Sequence, residues 1–184
     1  MPRTKTVLIF LCLGIAGLGS SSRGVLEAAP PEELVIESGV PQARRDSALT
    51  AARRFYEFWA TGDEALLHRS LSPRFRDHTL PPGRPQGPTG PVAADRVLRT
   101  AVPDLQVTVR QQILAGDRVV SHLLFTGHFT GRFKDSHGKR IRGRGQTVRF
   151  LATDILRVQD GKITDNWHLE DNLTFLRQIG VLPR

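Results

Sequence analysis

The sequence predicts an α+β domain: a cone-shaped, curved antiparallel β-sheet, N-terminal helices that close an internal pocket, and a short C-terminal helix. Three observations predict it. Apolar residues recur at helical spacing through the first half of the domain. They alternate with polar residues through the second half, with turn signals between the runs. The two kinds of segment are also segregated along the chain, the pattern of helices packed on one antiparallel sheet. A curved sheet covered on its concave side encloses a mostly apolar pocket with a few polar groups.

The chain has 184 residues and divides into three parts. Residues 1–22 read as a signal peptide. Arg3 and Lys5 precede an apolar run from Val7 to Gly19, and Ser20, Ser21 and Ser22 follow. The run is shorter than the roughly 20 apolar residues that span a bilayer. The expectation is export to the periplasm or the exterior, with the peptide cleaved. Residues 23–45, rich in Pro, Glu, Ser and Gly, read as a flexible linker. Residues 46–184 suit one domain. The single cysteine, Cys12, lies in the apolar run, so the mature protein is expected to lack disulfides, thiol nucleophiles and thiolate metal ligands.

The elements follow in order. A first helix starts at Asp46 or Ser47, buries Leu49, Ala52, Phe55, Tyr56 and Trp59, and ends at Thr61-Gly62. Asp63 caps a second, shorter helix through Leu66, Leu67 and Leu71. Residues 72–90, with five prolines and three glycines, read as a loop. Thr89 opens a third helix, with Pro91 just inside it and Pro103 stopping it. Strands then run through Leu105, Val107 and Val109, from Val119 to Phe129, from Thr147 to Val158, and from Ile163 to Glu170. Gly116-Asp117 and Asp160-Gly161 turn the chain between neighbours. Asp171 caps the last helix, which buries Leu173, Leu176 and Ile179 and ends at Gly180.

The net charge is +8. Much of the excess lies between Arg132 and Arg149. This segment reads either as a weak contact for an anionic membrane surface or an acidic ligand, or as a solvated hairpin arm, and the arm is the preferred reading. Nucleic acid is not expected, because the patch lacks interleaved stacking aromatics and the chain reads as exported. No nucleophile elbow, phosphate-binding loop or dinucleotide fingerprint is present.

Several short stretches carry a resemblance: Phe75-Arg-Asp-His78, Val102-Pro-Asp-Leu105, Ala115-Gly-Asp-Arg-Val-Val120, Thr126-Gly-His-Phe-Thr-Gly131, Arg157-Val-Gln-Asp-Gly-Lys-Ile163, Trp167, Asp171 and Leu176-Arg-Gln-Ile-Gly180. In this order and spacing, from about Asp46 to Leu182, the chain resembles the SnoaL-like polyketide cyclase and ester cyclase family, within the nuclear-transport-factor-2-like superfamily. The resemblance implies the α+β cone, an apolar pocket for a small hydrophobic ligand or carbonyl substrate, and no metal or organic cofactor. It also implies a homodimer formed through the outer sheet face. Characterised cyclases of this kind close a ring by intramolecular aldol condensation, with an Asp on the last strand as acid/base. Here that position holds His168. A second polar position, a His on the preceding strand in one such cyclase, holds Asp154. The chain departs from the family pattern at both, which leaves a catalyst and a non-catalytic ligand-binding module as open alternatives.

His168 is the first candidate for chemistry, because an ordinary imidazole exchanges a proton near neutral pH. Asp171 is the second, although it stands where a helix cap belongs. Candidate substrate-binding residues are Trp59, His78, His128, Asp154 and Trp167. His68 and His137 read as surface residues. No metal is expected, since the histidines lack ligand spacing. A regular two-residue Asp160-Gly161 hairpin would set Thr153 opposite His168 and Asp154 opposite Trp167. That places Asp154 and His168 on opposite sheet faces unless a β-bulge intervenes.

Overall fold

The computed structural model describes residues 29–135 and 138–183. The expected signal peptide and the start of the expected linker lie outside the described residues, as does His137. Among the described residues, no helix is long and apolar enough to cross a membrane.

The elements in chain order are β1 (Glu33–Ile36), α1 (Gln42–Thr61), α2 (Glu64–Ser70), β2 (Leu71–Asp77), α3 (Thr89–Ala101), β3 (Gln106–Ala115), β4 (Arg118–Phe129), β5 (Arg132–Lys134), β6 (Arg140–Arg142), β7 (Gln146–Gln159), β8 (Lys162–Glu170) and α4 (Asn172–Gln178). Six strands form one sheet in the order β1-β3-β4-β7-β8-β2, and β5 and β6 form a separate ribbon. The four central strands make the expected antiparallel meander. Both edges differ from the expectation, because β1 joins β3 and β2 joins β8 in parallel. The sheet is therefore mixed.

Each edge strand corrects a sequence reading. The segment expected to be a flexible linker contributes β1, whose Leu34-Val-Ile36 run pairs with Gln112-Ile-Leu114. Three apolar residues are enough once a partner edge is present. Helix α1 also starts earlier than Asp46, at Gln42. Pro41 occupies the cap position with φ −61° and makes no side-chain cap bond. The expected capping carboxylate, Asp46, instead accepts a hydrogen bond from Gln42 Nε2 at 2.7 Å, one turn inside the helix. The start of the proline-rich loop is in fact β2. Its register slips between Leu71 and Arg76, around Pro73, which an edge strand tolerates because one side needs no donor.

The other helix signals behave as their chemistry requires. Gly62 adopts φ 76° and its N–H bonds the Phe58 carbonyl, ending α1. Asp63 Oδ1 accepts from the Ala65 N–H at 2.9 Å and caps α2. At the β7–β8 turn, Asp160 and Gly161 both have positive φ, 49° and 71°, the requirement of a two-residue hairpin turn of the primed type.

The core lies between the concave sheet face and the helices. Phe55 and Phe58 of α1, Leu67 of α2, and Ile179 beyond α4 meet Leu114, Val119, Leu123, Phe129, Val148, Leu156 and Ile163 of the sheet, all nearly inaccessible. One inward position of β4 is Gly127, where a Cβ would fall 2.5 Å from Val102 Cγ1, so the chain after α3 occupies the space of a side chain. Irregularities in β3 between Val109 and Gln111, and between β7 and β8 at Thr164, help the sheet curve.

Candidate functional site

The irregularity at Thr164 decides the site. Gln159 pairs with Lys162 and Val158 with Ile163, but Arg157 pairs with Asp165, so Thr164 is the extra residue of a bulge. Beyond it Asp154 faces His168 and Ile155 faces Trp167. The one-residue shift turns Asn166, His168 and Glu170 toward the concave side, and Asp165, Trp167 and Leu169 away from it. The condition for bringing Asp154 and His168 to one face is met.

These residues form one wall of a cavity of about 500 Å³. Its apolar walls include Trp59, Leu123, Phe125, Phe150, Phe175 and Leu98. Its polar groups include Asp77, Asp154, Asn166, His168 and Glu170, and Arg84, Asp135 and Asn172 also line it. Among the sequence-predicted residues, the cavity brings together Trp59, Asp154 and His168.

His168 does not pair with Asp154. Its Nε2 lies 3.0 Å from Asp77 Oδ2, and its Nδ1 lies 3.3 Å from Glu170 Oε1. Its backbone N–H bonds Thr79 Oγ1 at 2.9 Å, which ties the loop after β2 to β8. Burial alone would discharge the ring, but the hydrogen bonds and charges of Asp77 and Glu170 outweigh it and push the pKa up to about 10. This corrects the expectation of an ordinary imidazole: His168 is an imidazolium at neutral pH, with each N–H directed at a carboxylate. The two partners respond in kind. Burial opposes their ionisation, yet the His168 contact, with Thr79 for Asp77, holds both below the usual carboxylate range.

Asp154 is the opposite case. Only 6 % of it is accessible, and burial pushes its pKa up to about 7, against the lowering effects of the His168 charge and an Asn166 hydrogen bond. Asn166 Nδ2 approaches Asp154 Oδ1 at 3.4 Å, while Asn166 Oδ1 is buried with no partner among the described residues. The Tyr56 hydroxyl lies behind Asp154, buried and without a well-formed hydrogen bond, and burial together with the Asp154 charge raises its pKa. A carboxyl that titrates near neutrality can both take and return a proton.

The remaining expected site residues lie elsewhere. Asp171 is exposed and caps α4, accepting from the Thr174 N–H at 2.9 Å, and it does not line the cavity. His78 and Trp167 are on the outer sheet face, because His78 follows inward Asp77 and Trp167 precedes inward His168. Their rings stack at 4.4 Å with 6° between planes, and His78 Nε2 meets Asp165 Oδ1 at 2.7 Å. The guanidinium groups of Arg118 and Arg157 lie 5.5 and 5.6 Å from the Trp167 ring. His128 is also outward, since Leu123 and Phe125 are the inward residues of β4. It contacts Asp104 at 2.7 Å. His68 is exposed, as expected.

Two residues that matter were not singled out from sequence: Asp77 and Glu170. The signal was available in both cases. In β2, Phe75 and Asp77 are buried with exposed Arg76 between them, and Glu170 stands two residues after His168 on the same face.

No curated protein matches the chain significantly. Solved structures do. A candidate polyketide cyclase from Bacillus cereus is 37% identical, matches over 86% of this chain and 97% of its own, and superposes with a TM-score of 0.75. TsrD from Streptomyces laurentii is 26% identical over 78% of this chain and 99% of its own, with a TM-score of 0.63. AclR, a candidate hydroxylase from Streptomyces galilaeus, is 22% identical over 77% of this chain and 83% of its own, with a TM-score of 0.61, which shows a shared fold. The family model for SnoaL-like polyketide cyclases matches residues 49–179, which include the cavity's sheet wall and its polar residues on β7 and β8, Asp154, Asn166, His168 and Glu170. With that match over most of its length, the chain belongs to the SnoaL-like polyketide cyclase family.

Proposed function

We propose that the protein is an acid/base catalyst acting on a small apolar carbonyl compound, most simply as a cyclase, with Asp154 as the proton carrier. One observation carries this reading: a buried carboxyl on the cavity wall is pushed up to about 7. The Asp154 carboxylate takes a proton from the carbon next to a substrate carbonyl. The resulting enolate carbon attacks a second carbonyl of the same molecule. The new alkoxide then takes the proton back from the Asp154 carboxylic acid. His168, charged and anchored at both nitrogens, supplies a fixed positive centre that favours the enolate. Trp59, Phe125 and Phe150 provide the apolar surface on which the substrate folds. Relative to the cyclase pattern that the resemblance implies, the Asp and His positions are exchanged, with Asp on β7 and His on β8.

With Asp154 as base, the active form is the carboxylate, so kcat/KM rises with pH through about 7. Asp154→Asn lowers turnover by roughly 10²–10⁴-fold, the usual worth of a general base. A panel of linear di- and triketones followed by mass spectrometry reads both. Equal turnover by the variant and the wild type excludes this role for Asp154.

A second reading has its own observation. Both His168 nitrogens are committed to carboxylates, so the site has fewer free donors than a catalyst would use. On this reading the cavity holds a hydrophobic ligand without chemistry. Native mass spectrometry showing a retained, unmodified ligand, together with no turnover across the panel, supports it.

We also propose export and dimerisation. The N-terminal Arg3, Lys5 and the apolar run that follows support export. Exposed Val35, Leu151, Ile155 and Leu169 support a homodimer through the outer sheet face. Cell fractionation with N-terminal sequencing checks the first. Sedimentation velocity checks the second.

A further inference from the structure

The β5–β6 ribbon has two unlike faces. Its register pairs Arg132 with Arg142, Phe133 with Ile141 and Lys134 with Arg140. Alternation therefore sets Phe133 and Ile141 on one side and all four cations on the other. Phe133 and Ile141 pack against the core, and Phe133 meets Phe175 edge-on at 5.7 Å. Phe133 and Phe175 both line the cavity. The four cations are exposed, and none makes an ion pair or side-chain hydrogen bond among the described residues. Like charges directly opposite one another destabilise a two-stranded ribbon. Here two such pairs stand side by side, and among the described residues no carboxylate is paired with any of the four. Lys139 and Arg144, also exposed, flank the ribbon.

The ribbon's base is fixed to the fold. The Gly131 N–H bonds the Ala101 carbonyl at 3.0 Å, and the Gly143 N–H bonds the Gly131 carbonyl at 2.9 Å. At Gly143 a Cβ would lie 2.2 Å from the Phe129 carbonyl oxygen, so the crossing admits only glycine. The cationic face is thus held rigidly beside the cavity. Val97 of α3, which also lines the cavity, is 53% exposed.

We infer that the cationic face of the ribbon docks the protein on an anionic phospholipid bilayer, next to the apolar cavity it helps to close. A flat array of unpaired Arg and Lys, with no stacking aromatic among them, fits a layer of headgroup phosphates. It does not fit single-stranded nucleic acid, which is gripped through base stacking. Docking itself needs only the ribbon. Its purpose, transfer of a membrane-dissolved apolar compound into the cavity, rests on the reading of that cavity given above.

Co-sedimentation of the full-length mature protein with vesicles tests the inference. Vesicles of phosphatidylglycerol and phosphatidylcholine, mixed at roughly one to three, are compared with phosphatidylcholine alone. The expected result is binding to the anionic vesicles only, weakened at least tenfold between about 0.1 and 0.5 M salt. The combined Arg132→Gln, Lys134→Gln, Arg140→Gln, Arg142→Gln variant should bind at least tenfold more weakly, with an unchanged circular-dichroism melting curve. A second variant with Arg→Lys at the three arginines keeps the charge and should bind like the wild type, so a loss from misfolding is recognised. Asp154→Asn should also bind vesicles like the wild type, which separates failure here from failure of the catalytic reading. The inference is overturned by equal binding of the glutamine variant, by equal binding to neutral vesicles, or by retention on duplex DNA without vesicle binding.

Discussion

A carboxyl and an imidazole share one wall of the cavity, and burial acts on both, yet they end in opposite states. Asp154 has no cation in direct contact, so desolvation dominates and its folded pKa rises to about 7. His168 has two carboxylates at hydrogen-bonding distance, so pairing dominates and its charge is kept. The consequence for stability has a definite sign. An unfolded Asp titrates near 4, so between about 4 and 7 the folded chain alone holds the Asp154 proton, and unfolding releases it. The Asp154 contribution therefore favours folding less and less as pH rises through that window. Asp154→Asn removes the buried charge. The variant should match the wild type near pH 4 and exceed it by about 2–4 kcal/mol at pH 8, measured by urea unfolding. The His168 contribution is present in full below about 6.5 and is lost as pH rises through about 10. A variant no more stable than the wild type at pH 8 would mean that Asp154 is already solvated or paired there.

At the scale of elements, the bulge at Thr164 does most to define the site. Asp-Gly chemistry fixes the turn, and alternation then assigns faces correctly for as long as the ladder is regular. No residue type marks where one extra residue enters a strand, so the side on which His168 would emerge was legible only as a condition. Strand β2 was hidden for a related reason. Pro73 and the prolines that follow mimic a loop, and an edge strand paired to a distant β8 has no local turn to announce it. Taking 71–77 as a strand would have separated Asp77, inward, from His78, outward. By contrast, local chemistry was legible wherever the chain satisfies itself: Gly62, Asp63 and Asp171 all cap helices as their positions demand. Asp171 tests that distinction. Asp171→Ala should cost about 1 kcal/mol of stability, the usual worth of an N-cap, and leave kcat/KM and its pH profile unchanged. A large fall in kcat at unchanged stability would instead restore a catalytic role.

At the scale of the whole molecule, one sheet face encloses the cavity and the other has no cover among the described residues. The outer face carries Leu151 and Ile155 of β7, 43% and 39% exposed, beside Leu169 of β8 at 78%, with Val35 at 44% on the far edge. Between them Leu124 and Leu151 are cross-strand neighbours, as are Ile155 and Trp167, so the apolar positions join across three strands. A contiguous apolar face of this kind on a domain that is otherwise strongly basic is the expected seat of a second copy, because an identical face carries the same apolar stripe and a two-fold axis makes each contact twice. Arg157 of this face is paired within the chain, lying against Asp117 and Asp165, which lowers the repulsion two copies would otherwise meet there. Introducing a cation at the centre of the stripe, as Ile155→Arg or Leu169→Arg, should convert the proposed dimer to a monomer in sedimentation-velocity runs. The doubling of each contact by symmetry makes one substitution count twice. Because neither side chain reaches the cavity, ligand binding per chain should persist in the monomer. A wild type that sediments as a monomer at all concentrations would assign this face to some other partner.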